Sequence, residues 1–474
     1  MDTHEQANSS LQPQFSATEL IHYRPLWDER LEAEGAVAVL VCHGMGQQVR
    51  YETISSVAEA LLTEARNEQA KVFPVEVTLA QANDDFLARA EVKWEKDGCK
   101  HEVHVYEAYW APLTEGKVTY WDTIKFLLRA GWAGLSYSRP FWLSSFQRWV
   151  FGGPKRTRIG PLTWISLIGV LIFLLIQVGV IAFVSLTLAA HAKIALANLP
   201  GFQSGIGHWL WSWLHWLLLF VPGVSLDHPT TWRLGSKIAI WALLTAEALF
   251  VRYFIIEFVG DVAAYISPYK DSKFDELRHQ IRNIGLNVGK VIYGIGLRQA
   301  TVPNYSQVVV VGHSLGSVLA YDTLNSLINM DQVCAANQRR NVIGRTRALI
   351  TFGSPLDKTA FLFRLQAHAA EQWVREQLAA AVQPLIVSYR KYRPDHFRWV
   401  NIWSRMDIIS GSLDYYDDPA VPPSSPRHVQ NMTDPQAWIP LYAHVQYWGS
   451  DLLRKQLYHY VSEAVEKGMS QSAN

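Results

Sequence analysis

The chain has 474 residues, which is enough for two or three domains, and 49% of them are hydrophobic whereas only 18% are charged. Its formal net charge is +1, because 43 basic side chains nearly balance 42 acidic ones, so nothing favours a nucleic-acid partner bound through overall charge. Cys42, Cys99 and Cys334 are too few and too widely spaced for a disulfide framework or a zinc site, and no metal is expected.

The N-terminal part is predicted to contain a flexible N-terminus, residues 1–20, and the first half of a mixed α and β domain, residues 21–160. Residues 1–20 are polar, lack the pattern of a signal peptide and are expected to stay in the cytosol. The apolar run 35–42 is typical of a strand buried on both faces, and His43-Gly44-Met45-Gly46 follows it. The next predicted elements are a helix over 51–69 and strands over Val72–Val77, Ala88–Trp94 and His101–Tyr109.

Residues 161–260 are predicted to be a membrane insertion with three apolar segments, 164–190, 205–224 and 238–259. The first segment has no charged residue and would be about 40 Å long as a helix. Basic residues at 148–158 precede it, which by the positive-inside rule places its start in the cytosol.

The number of membrane crossings follows from the strands on either side of the insertion. If these strands share one sheet, the chain must cross an even number of times, so we predict spans at 164–190 and 238–259. The tryptophan-rich segment 205–224 would then lie at the far interface. This arrangement predicts a protein of the cytoplasmic membrane with a cytosolic catalytic domain. The alternative is an apolar lid that dips into one leaflet.

Residues 261–474 are predicted to be the second half of the α/β domain. A helical pattern covers 270–298, and the buried strand Gln307–Val311 runs directly into Gly312-His313-Ser314-Leu315-Gly316. A helical pattern follows over Val318–Leu324. Further elements are strands over Ala348–Phe352 and Arg398–Trp403, a helical pattern over 358–381 and a last helix over 450–466.

The pentapeptide at 312–316 predicts a nucleophilic serine. A G-x-S-x-G sequence between a strand and a helix forms a strained turn that exposes the serine hydroxyl, and the turn leaves no room for side chains where Gly312 and Gly316 stand. His313 completes the elbow. We therefore predict Ser314 as the nucleophile of acyl transfer.

A serine hydroxyl needs a base and the base needs an orienting acid, in the chain order serine, acid, histidine. Asp407 lies just past the strand Arg398–Trp403, and His444 precedes the last helix, so they are the predicted pair. Other residues of the same types stay open as alternatives: Asp414, Asp417 and Asp418 for the acid, and His396 and His428 for the base.

Acyl transfer also requires backbone N–H groups that bind the oxyanion of the tetrahedral intermediate. Leu315, the residue after the nucleophile, is predicted to supply one of them. Met45, with Gly44 beside it, is predicted to supply the second from the loop after the first strand, because glycines let the backbone approach a substrate closely.

The sequence from Val311 to Asp322 resembles the elbow of lipases and of the DDHD-type intracellular phospholipases A1. The segment Ala443-His444 with Tyr447-Trp448 is similar to a histidine and tryptophan block near the C-terminus of that family. Ile408 and Ile409 depart from its pattern, which leaves the head-group preference open. The resemblance implies an α/β-hydrolase fold and a serine hydrolase, and a lipid ester is the expected substrate because the predicted membrane anchor holds the enzyme next to lipid.

The predicted fold class is therefore an α/β-hydrolase with a mostly parallel sheet flanked by helices, plus an inserted transmembrane helical region. The predicted function is that of a membrane-anchored serine hydrolase that cleaves lipid esters through Ser314, His444 and Asp407, without a cofactor. The rival hypotheses are a non-catalytic scaffold with a hydrolase fold and a hydrolase of acyl thioesters or small esters. The oligomeric state stays open.

Overall fold

In a computed structural model of the protein, the described residues are 36–44, 49–82, 85–114, 272–296, 305–357, 359, 383–387, 397–407, 409–413, 416, 428–439 and 442–472. The chain divides into two compact units, one formed by Met1–Arg158 together with Glu257–Asn474 and the other by Ile159–Ile256. All the described residues belong to the first unit. The predicted domain limits stay a prediction.

Nine strands form one mixed sheet in this part of the chain, in the spatial order β2-β4-β5-β1-β6-β7-β8-β9, and β3 also pairs with β4. Each pair of neighbours in the series β5-β1-β6-β7-β8-β9 is parallel. The pairs β2 with β4, β3 with β4 and β4 with β5 are antiparallel. Their bounds are β1 (Val37–Cys42), β2 (Lys71–Val72), β3 (Glu76–Ala82), β4 (Asp85–Lys96), β5 (Cys99–Ala108), β6 (Gln307–His313), β7 (Thr346–Phe352), β8 (Arg398–Trp403) and β9 (Val429–Thr433).

Helices cover both faces of the sheet, because alternate residues of the central strands point to opposite sides. Val39 and Val309 pack with one group of helices, α1 and α8, and Leu40 and Val310 pack with the other, α3 and α4. The helices are α1 (Glu52–Asn67), α2 (Ala111–Thr114), α3 (Ser272–Tyr293), α4 (Leu315–Val333), α5 (Val342–Arg345), α6 (Pro384–Val387), α7 (Ala443–Gln446) and α8 (Asp451–Ser472), with 3₁₀ turns at Ala336–Gln338 and Tyr447–Gly449.

The pairing of β1 with β6 positions the candidate site. The two strands are parallel, and Cys42 lies opposite Gly312 at their carboxyl ends. The loop that begins at His43 therefore starts beside the turn that carries Ser314. Every residue of β1 and β6 is buried, as expected for strands at the centre of a sheet that is covered on both faces.

The predicted fold class, an α/β-hydrolase with a mostly parallel sheet and an inserted transmembrane region, is wrong. The sheet is mixed, and within the described ranges no helix is long and apolar enough to cross a membrane. The segments 164–190, 205–224 and 238–259, on which the predicted spans and the predicted membrane location depend, lie outside the described residues. That prediction used the hydropathy of these segments, the basic residues that precede the first of them and the even number of crossings.

Smaller differences concern single elements. The strand predicted over Val72–Val77 is two strands, β2 and β3, with Pro74 between them, since proline cannot donate a hydrogen bond to a strand ladder. β9 was not predicted, because its sequence Val-Gln-Asn-Met-Thr is largely polar and partly exposed. The N-terminus 1–20 and the helical pattern at 358–381 lie outside the described residues.

The approach of α4 to β1 generates a first prediction. A Cβ atom at Gly316 would lie 2.2 Å from the carbonyl oxygens of both Cys42 and His43, so the backbone would have to move. We expect Gly316→Ala to lower the free energy of unfolding by about 1–3 kcal/mol, measured by urea denaturation. Gly449→Ala is the matched control, because a Cβ atom there meets nothing within 4 Å. Equal effects of the two substitutions would contradict this account.

Candidate active site

Ser314 occupies a strained turn between β6 and α4. Its φ of 52° and ψ of −130° are unusual for a residue with a side chain, and such strain concentrates at functional sites. Two backbone hydrogen bonds hold the turn: Ser314 N–H donates to the Phe352 carbonyl at 3.0 Å, and Ser317 N–H donates to the Ser314 carbonyl at 2.9 Å. A Cβ atom at Gly312 would lie 2.5 Å from the Ser317 Cα, so the tight turn requires glycine there.

The structure brings together the serine, histidine and aspartate that the sequence singles out. His444 Nε2 lies 2.7 Å from Ser314 Oγ, and His444 Nδ1 lies 2.9 Å from Asp407 Oδ2. All three residues are buried. With its Nδ1–H donated to Asp407, the neutral imidazole presents a lone pair on Nε2 to the serine hydroxyl, which is the arrangement that proton abstraction needs.

The Asp407 carboxylate is fixed on both oxygens. Its Oδ1 accepts a hydrogen bond from the Ile409 N–H at 2.9 Å, and its Oδ2 accepts a second one, besides that of His444, from the Tyr447 hydroxyl at 3.0 Å. The Ser410 hydroxyl lies 3.1 Å from the Tyr447 hydroxyl. These contacts hold the carboxylate in the orientation that faces the imidazole.

Among the rival residues, only His428 belongs to the described part of the chain, whereas Asp414, Asp417, Asp418 and His396 lie outside it. His428 packs edge-on against Trp399 at a ring-centroid distance of 5.4 Å, at the start of β9. Burial lowers the pKa of His428 to about 4, which is far below the value suited to a base at neutral pH.

Of the residues predicted to form the oxyanion hole, the structure describes Leu315 and Gly44. Leu315 is buried at the first position of α4, where a helix leaves its backbone N–H without an intrahelical partner. A Cβ atom at Gly44 would lie 2.9 Å from the Ser314 Cβ, so the backbone of Gly44 adjoins the nucleophile. Met45 lies outside the described residues.

His43 connects the start of the Gly44 loop to Trp110, the second residue after β5. Trp110 donates its backbone N–H to His43 Nε2 at 2.9 Å and its indole N–H to the His43 carbonyl at 3.2 Å, and the two rings stack at 5.0 Å. The remaining ring nitrogen, Nδ1, donates to the Gly44 carbonyl at 2.8 Å. Burial lowers the pKa of His43 to about 4, so the ring stays neutral and can accept the Trp110 bond.

His313 packs against the imidazole of His444 and bonds to its backbone. Its Nε2 donates to the backbone carbonyl of His444 at 3.2 Å, and its ring stacks between those of His444 and Phe352 at centroid distances of 5.2 and 4.8 Å. Burial, and secondly the proximity of His444, lower the pKa of His313 to about 3. A neutral His313 adds no positive charge against an imidazolium at His444.

Sequence reasoning missed several residues of this site. Tyr447 entered only as part of a family resemblance, although its position one helical turn after His444 indicates that it lies on the same side. No sequence motif indicated the contact of Ser410 with Tyr447 or the bonds between His43 and Trp110. The Ser317 hydroxyl donates to the Ser354 hydroxyl at 2.6 Å. This contact could not be predicted from local sequence, because it forms only where α4 meets the residues after β7.

One group in the described residues has the ligand types of a metal centre: Glu91, Glu102 and His104, with potential ligand atoms within 4.8 Å of one another. Its carboxylates are already occupied, since Glu91 pairs with Arg89 at 2.8 Å and with Lys93 at 3.2 Å. Burial alone would raise the pKa of Glu91, but His104, Arg89 and Lys93 outweigh it and lower that pKa to about 2. The group is a buried ion-pair network on β4 and β5.

Comparisons of the chain with protein-family models, with curated proteins and with solved structures found no match in any of the three. The inference about function therefore depends on the geometry of the site and on the sequence motifs.

The buried neutral histidines predict how stability depends on pH. His43, His313 and His428 have folded-state pKa values of about 4, about 3 and about 4, against 6.5 as the ordinary value. Below pH 6.5 the unfolded chain therefore binds protons that the folded protein does not. Between pH 6.5 and 4.5 the free energy of unfolding should fall by about 1.4 kcal/mol per pH unit for each histidine.

Urea denaturation across this pH range measures the slope. In His428→Asn, the slope should be smaller by about 1.4 kcal/mol per pH unit. His459→Asn is the matched control, because the His459 side chain is 62% exposed. A wild-type stability that is flat from pH 6.5 to 4.5 would contradict the prediction.

Proposed function

We propose that the protein is a serine hydrolase that cleaves carboxylic esters. The observation that carries the proposal is the unbroken chain of hydrogen bonds from Asp407 through His444 to Ser314, with distances of 2.9 and 2.7 Å. Such a chain on a strained strand-to-helix turn is the arrangement that makes a serine hydroxyl nucleophilic.

The proposed reaction proceeds in two steps. His444 Nε2 takes the proton of the Ser314 hydroxyl while Oγ attacks the ester carbonyl, and the Leu315 N–H, with a second one from the Gly44-Met45 loop, binds the resulting oxyanion. The protonated His444 then gives its proton to the leaving alcohol as the carbonyl re-forms. Water, activated by the same imidazole, attacks the acyl-enzyme and releases the acid.

An apolar acyl group is the favoured substrate feature, because large apolar side chains stay exposed next to the catalytic histidine. Trp438 is 65% exposed and Tyr442 is 59% exposed, and Ile439 and Val445 are also open to solvent. Two backbone bonds, from Ala443 to Ile439 and from Val445 to Tyr442, join these residues to the turn that carries His444. Several exposed apolar side chains close together in the chain beside a candidate site favour an apolar ligand, which supports a lipid-like ester.

Reaction with a fluorophosphonate probe tests the nucleophile. The wild-type protein should form a covalent adduct on Ser314, and Ser314→Ala should abolish it, because the probe reacts only with an activated serine hydroxyl. His444→Ala should slow labelling by at least about a hundredfold, since the hydroxyl then has no base. The adduct is measured by intact-protein mass spectrometry and its site by peptide mapping.

Ser326→Ala is the matched control for the labelling experiment. Ser326 also lies on the segment 314–333, but its hydroxyl bonds to the Asp322 carbonyl, away from His444. A folded wild-type protein that fails to label would refute the hydrolase and favour the scaffold hypothesis. Labelling that persists in Ser314→Ala would refute the assignment of the nucleophile.

The exposed apolar segment predicts a preference for long acyl chains. A Trp438→Ser, Tyr442→Ser double variant should lower kcat/KM for a p-nitrophenyl octanoate ester roughly tenfold, because it removes apolar contacts with the chain, and should leave the acetate ester unchanged. Val333→Ser is the control, since Val333 is 84% exposed at the far end of α4. An equal loss on both esters would show that the segment does not bind the acyl chain.

A further inference from the structure

Two hydrogen-bond donors converge on one oxygen of the proposed catalytic acid. Asp407 Oδ2 lies 2.9 Å from His444 Nδ1 and 3.0 Å from the Tyr447 hydroxyl, while Oδ1 is bonded to the Ile409 N–H. Tyr447 has no exposed surface, and Asp407 is 4% exposed. Water therefore cannot replace the phenol as the second donor to Oδ2.

The phenol of Tyr447 is the donor in this contact, and the carboxylate is the acceptor. Burial, and then the negative charge of Asp407, raise the pKa of Tyr447 well above its ordinary value, so the hydroxyl keeps its proton. The phenol proton points to Asp407, so the phenol oxygen accepts the single proton of the Ser410 hydroxyl at 3.1 Å, a shorter contact than that of Ser410 with the Ser404 carbonyl at 3.5 Å. A hydroxyl that accepts one bond becomes a stronger donor in the next, so the chain Ser410–Tyr447–Asp407 is cooperative.

A hydrogen bond to Oδ2 withdraws charge from the oxygen that faces the imidazole. The less charge this oxygen carries, the more weakly it attracts a proton placed on His444. The other titratable groups around His444 are His313, which stacks on it from the end of β6, and His43, which lies beyond His313 in the loop after β1. Burial holds both rings neutral, so Asp407 is the charged partner of His444 among the described residues.

We infer that Tyr447 is a positioning residue of the proposed reaction, which orients the Asp407 carboxylate toward His444 and limits its attraction for the imidazolium. The inference rests on the proposed function, because it assigns Tyr447 a role within the same serine, histidine and aspartate relay.

Tyr447→Phe tests the inference, because phenylalanine keeps the ring in place and removes only the hydroxyl. Asp407 should then hold the imidazolium more strongly, and the acid limb of the fluorophosphonate labelling rate should move up by about one pH unit. The variant should consequently label several-fold more slowly than the wild type near pH 6 but at a similar rate near pH 8.5. Ser410→Ala should move the acid limb in the same direction by a smaller amount.

Tyr293→Phe is the matched control, since Tyr293 is also a buried tyrosine whose hydroxyl is bonded, to Thr346 at 2.7 Å, but it lies at the end of α3. It should leave the labelling profile unchanged. If Tyr447 only filled space, Tyr447→Phe would leave the labelling rate unchanged or change it by the same factor at every pH, and either result would overturn the inference.

A second measurement does not depend on any reaction. Nitrogen-15 histidine spectra of the wild type and of Tyr447→Phe, with His444 assigned from His444→Ala, give the pKa of His444 directly. An upward shift in Tyr447→Phe supports the inference, and an unchanged value overturns it. If the wild-type protein failed to label, the proposed function would fail, while the same spectra would still decide whether Tyr447 acts on the Asp407–His444 pair.

Discussion

Contact between the end of β1 and the first turn of α4 determines the arrangement around Ser314. The carbonyl oxygens of Cys42 and His43 lie so close to Gly316 that no side chain fits there. The close approach adjoins the turn between β6 and α4, in which the Ser314 hydroxyl lies 2.7 Å from His444 Nε2. It also brings the backbone of Gly44 beside the nucleophile. The strain at Ser314 is sustained by a close-packed, fully buried neighbourhood rather than by any single bond.

The electrostatics of the site depend on which histidines are neutral. His43 and His313 are buried, and each uses its ring to hold backbone: His43 the loop after β1, and His313 the carbonyl of His444. A positive charge on either ring would oppose the imidazolium that the proposed ester cleavage would form at His444. Burial of these two rings therefore fits the proposed reaction, and His444 is the histidine of the three that bonds directly to a carboxylate.

Much of the fold and the site could be predicted from local sequence, because apolar β-branched runs such as β1 and β6 and the glycines at 312 and 316 carry strong local signals. Two kinds of feature could not be predicted from local sequence. β9 is polar at an edge of the sheet, so no hydropathy pattern marks it, and Tyr447 and Ser410 act through contacts made only after β8 and α7 come together. The predicted transmembrane region rested on apolar segments that lie outside the described residues, and no helix within the described residues is long and apolar enough to cross a membrane.

The central position of β1 has a consequence for biosynthesis. Cys42 and its partner Gly312 are 270 positions apart in the chain, so β1 leaves the ribosome long before β6 exists. Until then, β1 can pair with β5 on one side only, and its other edge presents a row of unpaired backbone groups flanked by valine and leucine side chains. Closing so long a loop is slow, and an exposed apolar edge invites pairing between chains. Chains that end before β6 are therefore expected to aggregate more readily than the whole chain.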